Sequence, residues 1–238
     1  LCEGDDYWTS PRKLQYQLER MLAYPGCDLS FHPVFDGRSP EKEPTGILSR
    51  HAAGEKVFST SEIIRGDGGF CPTGSLMFKR EVFDRLPDWF FEEAPVGDYF
   101  IQVYASLQGG ALYLPEPMAA YRTFHPGSWS DRMTQMGNFM TFYRHFVQSL
   151  DLMNEDLGHR YDREIRHVKA MHHLVAANTQ LRANRLDEFR ELISLSWKTQ
   201  PLVARGQVSL FLLSPFPTLA RAFRRWRDNR LAKPPFNE

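Results

Sequence analysis

The sequence predicts an α/β unit over residues 1–130 and an all-helical region over residues 131–238. Three observations carry that expectation. Through residue 130, short apolar runs suited to buried strands alternate with segments of helical period, the pattern of α/β architecture. Beyond Ser130, the long segments follow the helical period throughout. The charge changes at the same place. Residues 1–130 hold 12 Lys+Arg and 18 Asp+Glu, residues 131–238 hold 17 and 11, and a net charge of zero therefore divides into −6 and +6. An acidic half suits a cation or a proton-transfer site. A basic half suits a polyanionic surface such as lipid headgroups or, more plainly, solvated helix faces.

In chain order, "TSPRKLQYQLERMLAYPG" reads as a helix with both ends marked. Ser10 suits the N-cap and Pro11 the first helical position. Leu14, Leu18, Met21 and Leu22 form the expected buried stripe, and Pro25-Gly26 ends the helix. "DLSFHPVF" reads as one short buried strand. Residues 36–69 are rich in Gly, Pro, Ser and charge. They read as an excursion over the surface with a short helix near Ser61–Ile64. "CPTGSLMFKREVFDRLPDWF" reads as a strand near Ser75–Phe78 running into a helix. "PVGDYFIQVYASLQGG" is a helix closed by Gly109-Gly110, with Phe100, Ile101, Tyr104 and Leu107 at helical spacing. "ALYLPEPMAAYRTF" gives two short strands around a Pro-Glu-Pro turn. Amphipathic helices follow from Asp131, two of them paired as a hairpin through "ANRLDE". A basic helix in "LARAFRRWRDNRLAK" lies near the C-terminus.

The composition, 42% hydrophobic and 24% charged over 238 residues, is that of a globular chain. Cys2, Cys27 and Cys71 form no CxxC, which suits a reducing compartment and argues against a zinc ribbon. No window approaches the ~20 apolar residues of a membrane span, and the start lacks the basic and apolar regions of a signal peptide. His172-His173 has no carboxylate or Cys beside it and reads as one packed and one exposed histidine. The basic half shows neither zinc-finger spacing nor the aromatic motif of an RNA-recognition fold, so no nucleic-acid partner is expected.

Chemistry concentrates at the start, in "LCEGDDYWTSPRKL", where Glu3, Asp5 and Asp6 fall within four positions. Clustered carboxylates hold a hard divalent cation or cap a helix. Ser10 already supplies a cap, and neighbouring carboxylates repel one another, a cost that a cation removes. Asp98, after Gly97 at a helix start, reads either as a cap or as a general base. Glu92-Glu93 reads as a solvated turn and is the next acid/base candidate.

"LCEGDDYWTSPRKLQYQ" resembles the segment of family 2 glycosyltransferases that carries their acidic metal motif. There a strand ends in an Asp-x-Asp-like element, then an aromatic, then a Pro-initiated helix. Glu3-Gly4-Asp5 with Asp6 stands in that place, with Glu where many members have Asp. "PTGSLMFKREVF" resembles the family's acceptor-side strand and following helix. "GDYFIQVYASLQGGALYLPEPMAAYR" resembles its helix with the catalytic carboxylate and the return strand. "YRTFHPGSWS" resembles its closing loop, one residue longer than the common form. These pieces cover roughly residues 1–130, in the family's order.

The resemblance implies a Rossmann-like GT-A sheet, here truncated. The chain would be the C-terminal part of a transferase, lacking the N-terminal nucleotide-binding half and inactive alone. It implies metal-dependent, inverting transfer of a sugar from a nucleotide-sugar donor to a hydroxyl of a glycan or lipid-linked acceptor. Asp5 and Asp6, with Glu3, would hold Mg²⁺ or Mn²⁺, and Asp98 would be the base. Arg122 and His125 would meet the diphosphate or the metal, and Trp8 and Trp129 would wall the sugar pocket. Trp8 has core packing as its plainer reading. The expected location is cytoplasmic, peripheral on the inner face of the membrane, with the C-terminal basic helix on anionic lipid. The alternative is a degenerate, non-catalytic binding module.

Overall fold

The computed structural model describes residues 4, 6–37, 46–122 and 128–231. The chain is mixed α/β, as the sequence predicts, and its contacts divide it into two compact units, Leu1–Glu164 and Ile165–Glu238.

The first unit contains two small mixed sheets. Its strands are β1 (Tyr7–Trp8), β2 (Leu29–Phe31), β3 (Val34–Asp36), β4 (Ile47–Leu48), β5 (Lys56–Phe58), β6 (Met77–Phe78), β7 (Ala111–Tyr113) and β8 (Ala119–Tyr121). One sheet has the order β1-β8-β3-β4 and the other β5-β7-β2-β6. The inner pairs, β3 with β8 and β2 with β7, are parallel, and the outer pairs are antiparallel. "DLSFHPVF" is thus two strands rather than one. Pro33 has no N–H to give to a ladder, and the partner chain is interrupted at the same level by Pro115 and Pro117. The last bond before the break runs from Leu114 N–H to the Phe31 carbonyl at 2.9 Å.

Helix α1 (Lys13–Ala23) starts later than Ser10 and Pro11 suggest. Arg12 is its N-cap, without a side-chain cap bond, and Ser10 Oγ instead accepts the Arg12 N–H at 3.3 Å within the preceding turn. The predicted stripe is also corrected. Met21 is buried, but Leu14 and Leu18 are each 49% exposed and Leu22 72%. The buried line is Lys13, Gln17 and Met21, four residues apart and so on one helix face. Polar partners beneath the helix hold that face inward. Gln17 Nε2 donates to Ser30 Oγ at 3.1 Å and to the Ser75 carbonyl at 2.9 Å, while its Oε1 accepts from Lys13 Nζ at 2.7 Å.

Helix α2 (Thr60–Gly66) opens on a full capping box between Ser59 and Glu62. The excursion before it also contains β4 and β5, strands too short to show a period. After β6, the chain makes a 3₁₀ turn, Arg80–Arg85, and then α3 (Asp88–Glu92).

Helix α4 (Asp98–Ser106) is buried on nearly every side, including Tyr99, Phe100, Val103 and Tyr104. Gly109 and Gly110 end this segment at φ 70° and 80°. A Cβ on Gly109 would lie 2.1 Å from the Gly26 carbonyl oxygen, and one on Gly110 2.3 Å from that of Phe58. Side chains are excluded there by space as well as by backbone conformation. After α5 (Trp129–Arg132), α6 (Met136–Asp156) lays Phe146 against Tyr99 and Phe100, with ring centroids 5.3 and 5.7 Å apart.

The second unit holds most of α7 (Asp162–Arg182), with α8 (Leu186–Thr199), α9 (Arg205–Leu213) and α10 (Pro217–Leu231). Its core contains Leu181, Phe189, Ile193, Leu210 and Ala220. Ser196 Oγ donates to the Ala170 carbonyl at 2.7 Å and accepts from Gln207 Nε2 at 2.8 Å, tying α7, α8 and α9 together. His173 is buried and His172 half-buried. Among the described residues, no helix is long and apolar enough to cross a membrane.

Candidate functional site

The chemistry-bearing residues meet at one short 3₁₀ turn, Thr73–Ser75, which is buried throughout. Two acidic side chains border it. Asp98 is the first residue of α4, and its Oδ2 accepts the Thr73 hydroxyl at 2.6 Å. Its Oδ1 accepts the N–H of Tyr99 at 2.8 Å. Asp6 lies on another side of the turn, where a Cβ added to Gly74 would stand 3.3 Å from Asp6 Oδ2. Only a residue without a side chain leaves that carboxylate its present room.

Several elements bring Asp6 there. It directly precedes β1, which pairs with β8 through Tyr7 with Ala120 and Trp8 with Ala119. That register sets Asp6 beside the end of β8, and Asp6 Oδ1 accepts the Arg122 N–H at 3.1 Å. Asp6 is buried by this placement. The turn is itself held from below. Gln17 bonds the Ser75 carbonyl, and Ser75 Oγ donates to the Pro72 carbonyl at 2.6 Å. Arg122 thus reaches Asp6 through its backbone.

Charge beneath the site comes from Lys13. Its ammonium is buried against Gln17 and lies 4.7 Å from the Trp8 ring centroid, where the negative face of the indole attracts it. His32 is in the same interior. Its Nδ1 is 2.8 Å from the Pro33 carbonyl and 3.4 Å from the Met118 nitrogen. The shorter contact makes Nδ1–H the donor to Pro33. Nε2 then has no hydrogen-bond partner among the described residues. Burial drives the His32 pKa down to about 4, and the nearby Lys13 charge adds to this against the Pro33 bond. His32 is therefore neutral at physiological pH.

Cys71 lies close behind the turn. Burial raises its pKa well above the ordinary thiol value, and the negative charge of Asp98 raises it further. It remains a thiol and offers no nucleophile.

Of the residues singled out in the sequence, Asp6, Asp98 and the Arg122 backbone converge on one place. Glu3, Asp5 and His125 lie outside the described residues. Trp129 opens α5, exposed, with its ring edge-on to Phe142 at 5.3 Å. Trp8 is also exposed and carries the Lys13 cation on its face, so it is not core packing. Glu92 and Glu93 are exposed at the end of α3. Among the described residues, no three His, Cys, Asp or Glu side chains cluster to hold a metal ion.

Sequence reasoning missed three members of the site: Thr73, Gly74 and Lys13. The "PTGS" segment was visible as a strand entry, but its contact to Asp98 spans 25 residues. The signal for Lys13 was its four-residue spacing to Gln17, hidden by the more apolar Leu14, Leu18 and Leu22.

No family model matches the chain, and no solved structure matches it. It is similar to uncharacterized proteins of Mycobacterium bovis and of two strains of Mycobacterium tuberculosis. Each is 29% identical over 170 residues, a stretch that covers 67% of this chain and 45% of the relative. The chain thus spans about half the length of the curated relatives it matches.

Proposed function

We propose that the chain carries the metal and acceptor side of a metal-dependent, inverting glycosyltransferase of GT-A type. The observation that supports this most is the turn Thr73–Ser75, flanked by carboxylates 92 positions apart in sequence, Asp6 and Asp98. The resemblance assigns those two positions to the metal motif and the base, and both border one buried turn.

In this reading, Asp6 supplies an anionic oxygen to Mg²⁺ or Mn²⁺, with Asp5 and Glu3 beside it in sequence. The donor chemistry fits, since hard cations prefer carboxylate oxygens. The space left by Gly74 next to Oδ2 also fits. A bound cation would stabilise charge on the departing nucleoside diphosphate. Asp98 accepts the proton of the acceptor hydroxyl, and the Thr73 hydroxyl fixes which way its carboxylate points. Arg122 and His125 meet the donor diphosphate, and Trp129 offers an exposed ring for stacking on a sugar. The acceptor is a glycan or a lipid-linked glycan, and the site of action is the cytoplasmic face of a membrane.

One observation favours the rival reading of a binding module. Both oxygens of Asp98 are engaged within the chain, by Thr73 and by the Tyr99 N–H, as in a residue that only anchors a helix start. Asp98→Asn separates the two, assayed in the full gene product for Mn²⁺-dependent consumption of sugar nucleotides. The expected result is a loss on the order of 10²–10⁴ in transfer rate, with nucleotide binding near normal. A loss under about tenfold, below that range, makes Asp98 an anchor only.

A further inference from the structure

The corner between α9 and α10 exposes more apolar surface than a solvated helix pair requires. Leu212 is 67% exposed, Phe216 60%, Leu219 55% and Trp226 51%. The first three fall within eight consecutive positions around the Pro215 turn. The inner side of α10 is settled by Ala220, which is fully buried, and Phe223, which packs against the core containing Phe189. Leu219, Ala222 and Trp226 repeat at three and seven residues, so they form one line along the outer side. Helical spacing sets Arg225 next to that line, three residues from Ala222, while Arg221 bonds Asn184 Oδ1 at 2.5 Å.

The charge along α9 and α10 is strongly basic. Residues 205–231 contain six arginines, Arg205, Arg221, Arg224, Arg225, Arg227 and Arg230, and a single acid, Asp228. Protein interfaces also favour aromatics and Arg, but a net charge of +5 over residues 205–231 calls for a polyanionic occupant. A line of Leu, Ala and Trp flanked by Arg is instead the composition of a helix lying in a headgroup layer. Trp suits that layer because its ring is amphipathic.

We propose that the α9–α10 corner is an interfacial docking surface for an anionic lipid bilayer. Phe216 and Leu219 enter the acyl boundary, and the exposed Arg225 pairs with lipid phosphate. The chain lies on the membrane and does not cross it. This surface stands on exposure and charge alone, independently of glycosyl transfer. Its test has no activity readout, so its failure would remove the membrane location and leave the transfer chemistry untouched.

The experiment is co-sedimentation of the 238-residue chain with two vesicle types, phosphatidylcholine alone and phosphatidylcholine doped with phosphatidylglycerol. Binding is expected to the doped vesicles and to weaken as salt rises. Arg225→Gln should lower that partition about fivefold, the effect of one cation. Phe216→Ser with Leu219→Ser should lower it by on the order of tenfold or more per side chain. Circular dichroism melts of both variants should match the parent, because the altered side chains lie outside the core. Equal partition to both vesicle types overturns the proposal, as does partition unchanged in both variants. So does a concentration-dependent dimer, seen by light scattering without vesicle binding and abolished by Leu219→Ser, which would make the occupant a second copy of the chain.

Discussion

Thr73 and Gly74 are small residues with unequal tasks at the same turn. Thr73 donates its hydroxyl to Asp98 Oδ2, a bond to a charged acceptor in a largely buried place. Such bonds contribute about 1.5–3 kcal/mol, and the half-buried Asp98 puts this one at the lower end. Thr73→Val keeps the shape and removes the donor. It should lower stability by about 1–2 kcal/mol in urea unfolding, while Thr73→Ser restores most of the loss. If Thr73 positions the base, transfer in Thr73→Val falls with KM nearly unchanged, a split that a stability defect alone does not produce. Gly74 acts through space. In Gly74→Ala the new methyl meets Asp6 Oδ2 at 3.3 Å and the Ala119 Cβ at 3.8 Å. The carboxylate is the more movable neighbour, so it should shift by a few tenths of an ångström. The expected outcome is weaker Mn²⁺ binding by titration calorimetry at nearly unchanged melting temperature. Unaltered Mn²⁺ affinity would detach Asp6 from the metal.

Elements were legible in the sequence where one helix carried its own stop and its own apolar content. Helix α4 is the clear case, since Gly109-Gly110 closes it and "YFIQVYAS" is apolar enough to be buried all round. Strands of two or three residues show no period, so the division into two sheets at Pro33 was invisible. Helix α1 was misread because hydrophobicity and burial disagree there. Polar partners on Ser30 and Ser75 draw Lys13 and Gln17 inward and leave Leu14, Leu18 and Leu22 outward. For the site, Asp6 and Asp98 were legible as carboxylates in suggestive company. The turn that joins them was not, because long-range hydrogen bonds leave no local pattern. The same interior yields a pH prediction. His32 sits between β2 and β3, neutral when folded, with its pKa driven down to about 4 by burial and by Lys13. In the unfolded chain it titrates near 6.5. Between those values the unfolded state binds more protons, so stability falls as pH drops from about 6.5 towards 4. Over that whole window the loss is on the order of 3 kcal/mol. His32→Asn should flatten this part of the stability profile measured by urea unfolding. An equally steep profile in the variant would assign the dependence to other groups.

At the scale of the whole molecule, the division at Glu164 and Ile165 bears on cooperativity. The second unit has its own core, in which Phe189 is fully buried among Leu181, Ile193 and Leu210. It also has its own polar ties, from Ser196 to Ala170 and to Gln207. The first unit centres on α4 and the inner strands, with Phe100, Val103, Leu112 and Tyr113 fully buried. Two separate cores open at separate free energies. Phe189→Ala removes an aromatic ring from the second core and should cost about 3–5 kcal/mol there. Hydrogen exchange read by mass spectrometry distinguishes the units peptide by peptide. Exchange should accelerate across α7 to α10 by on the order of 10²–10⁴, the fold-change that such a loss gives when reclosing is fast relative to exchange. Peptides from β2, β7 and α4 should keep the parent's protection. Acceleration of equal size in both sets would mean that the chain opens as one body, and the two cores would then have to be treated as a single cooperative unit.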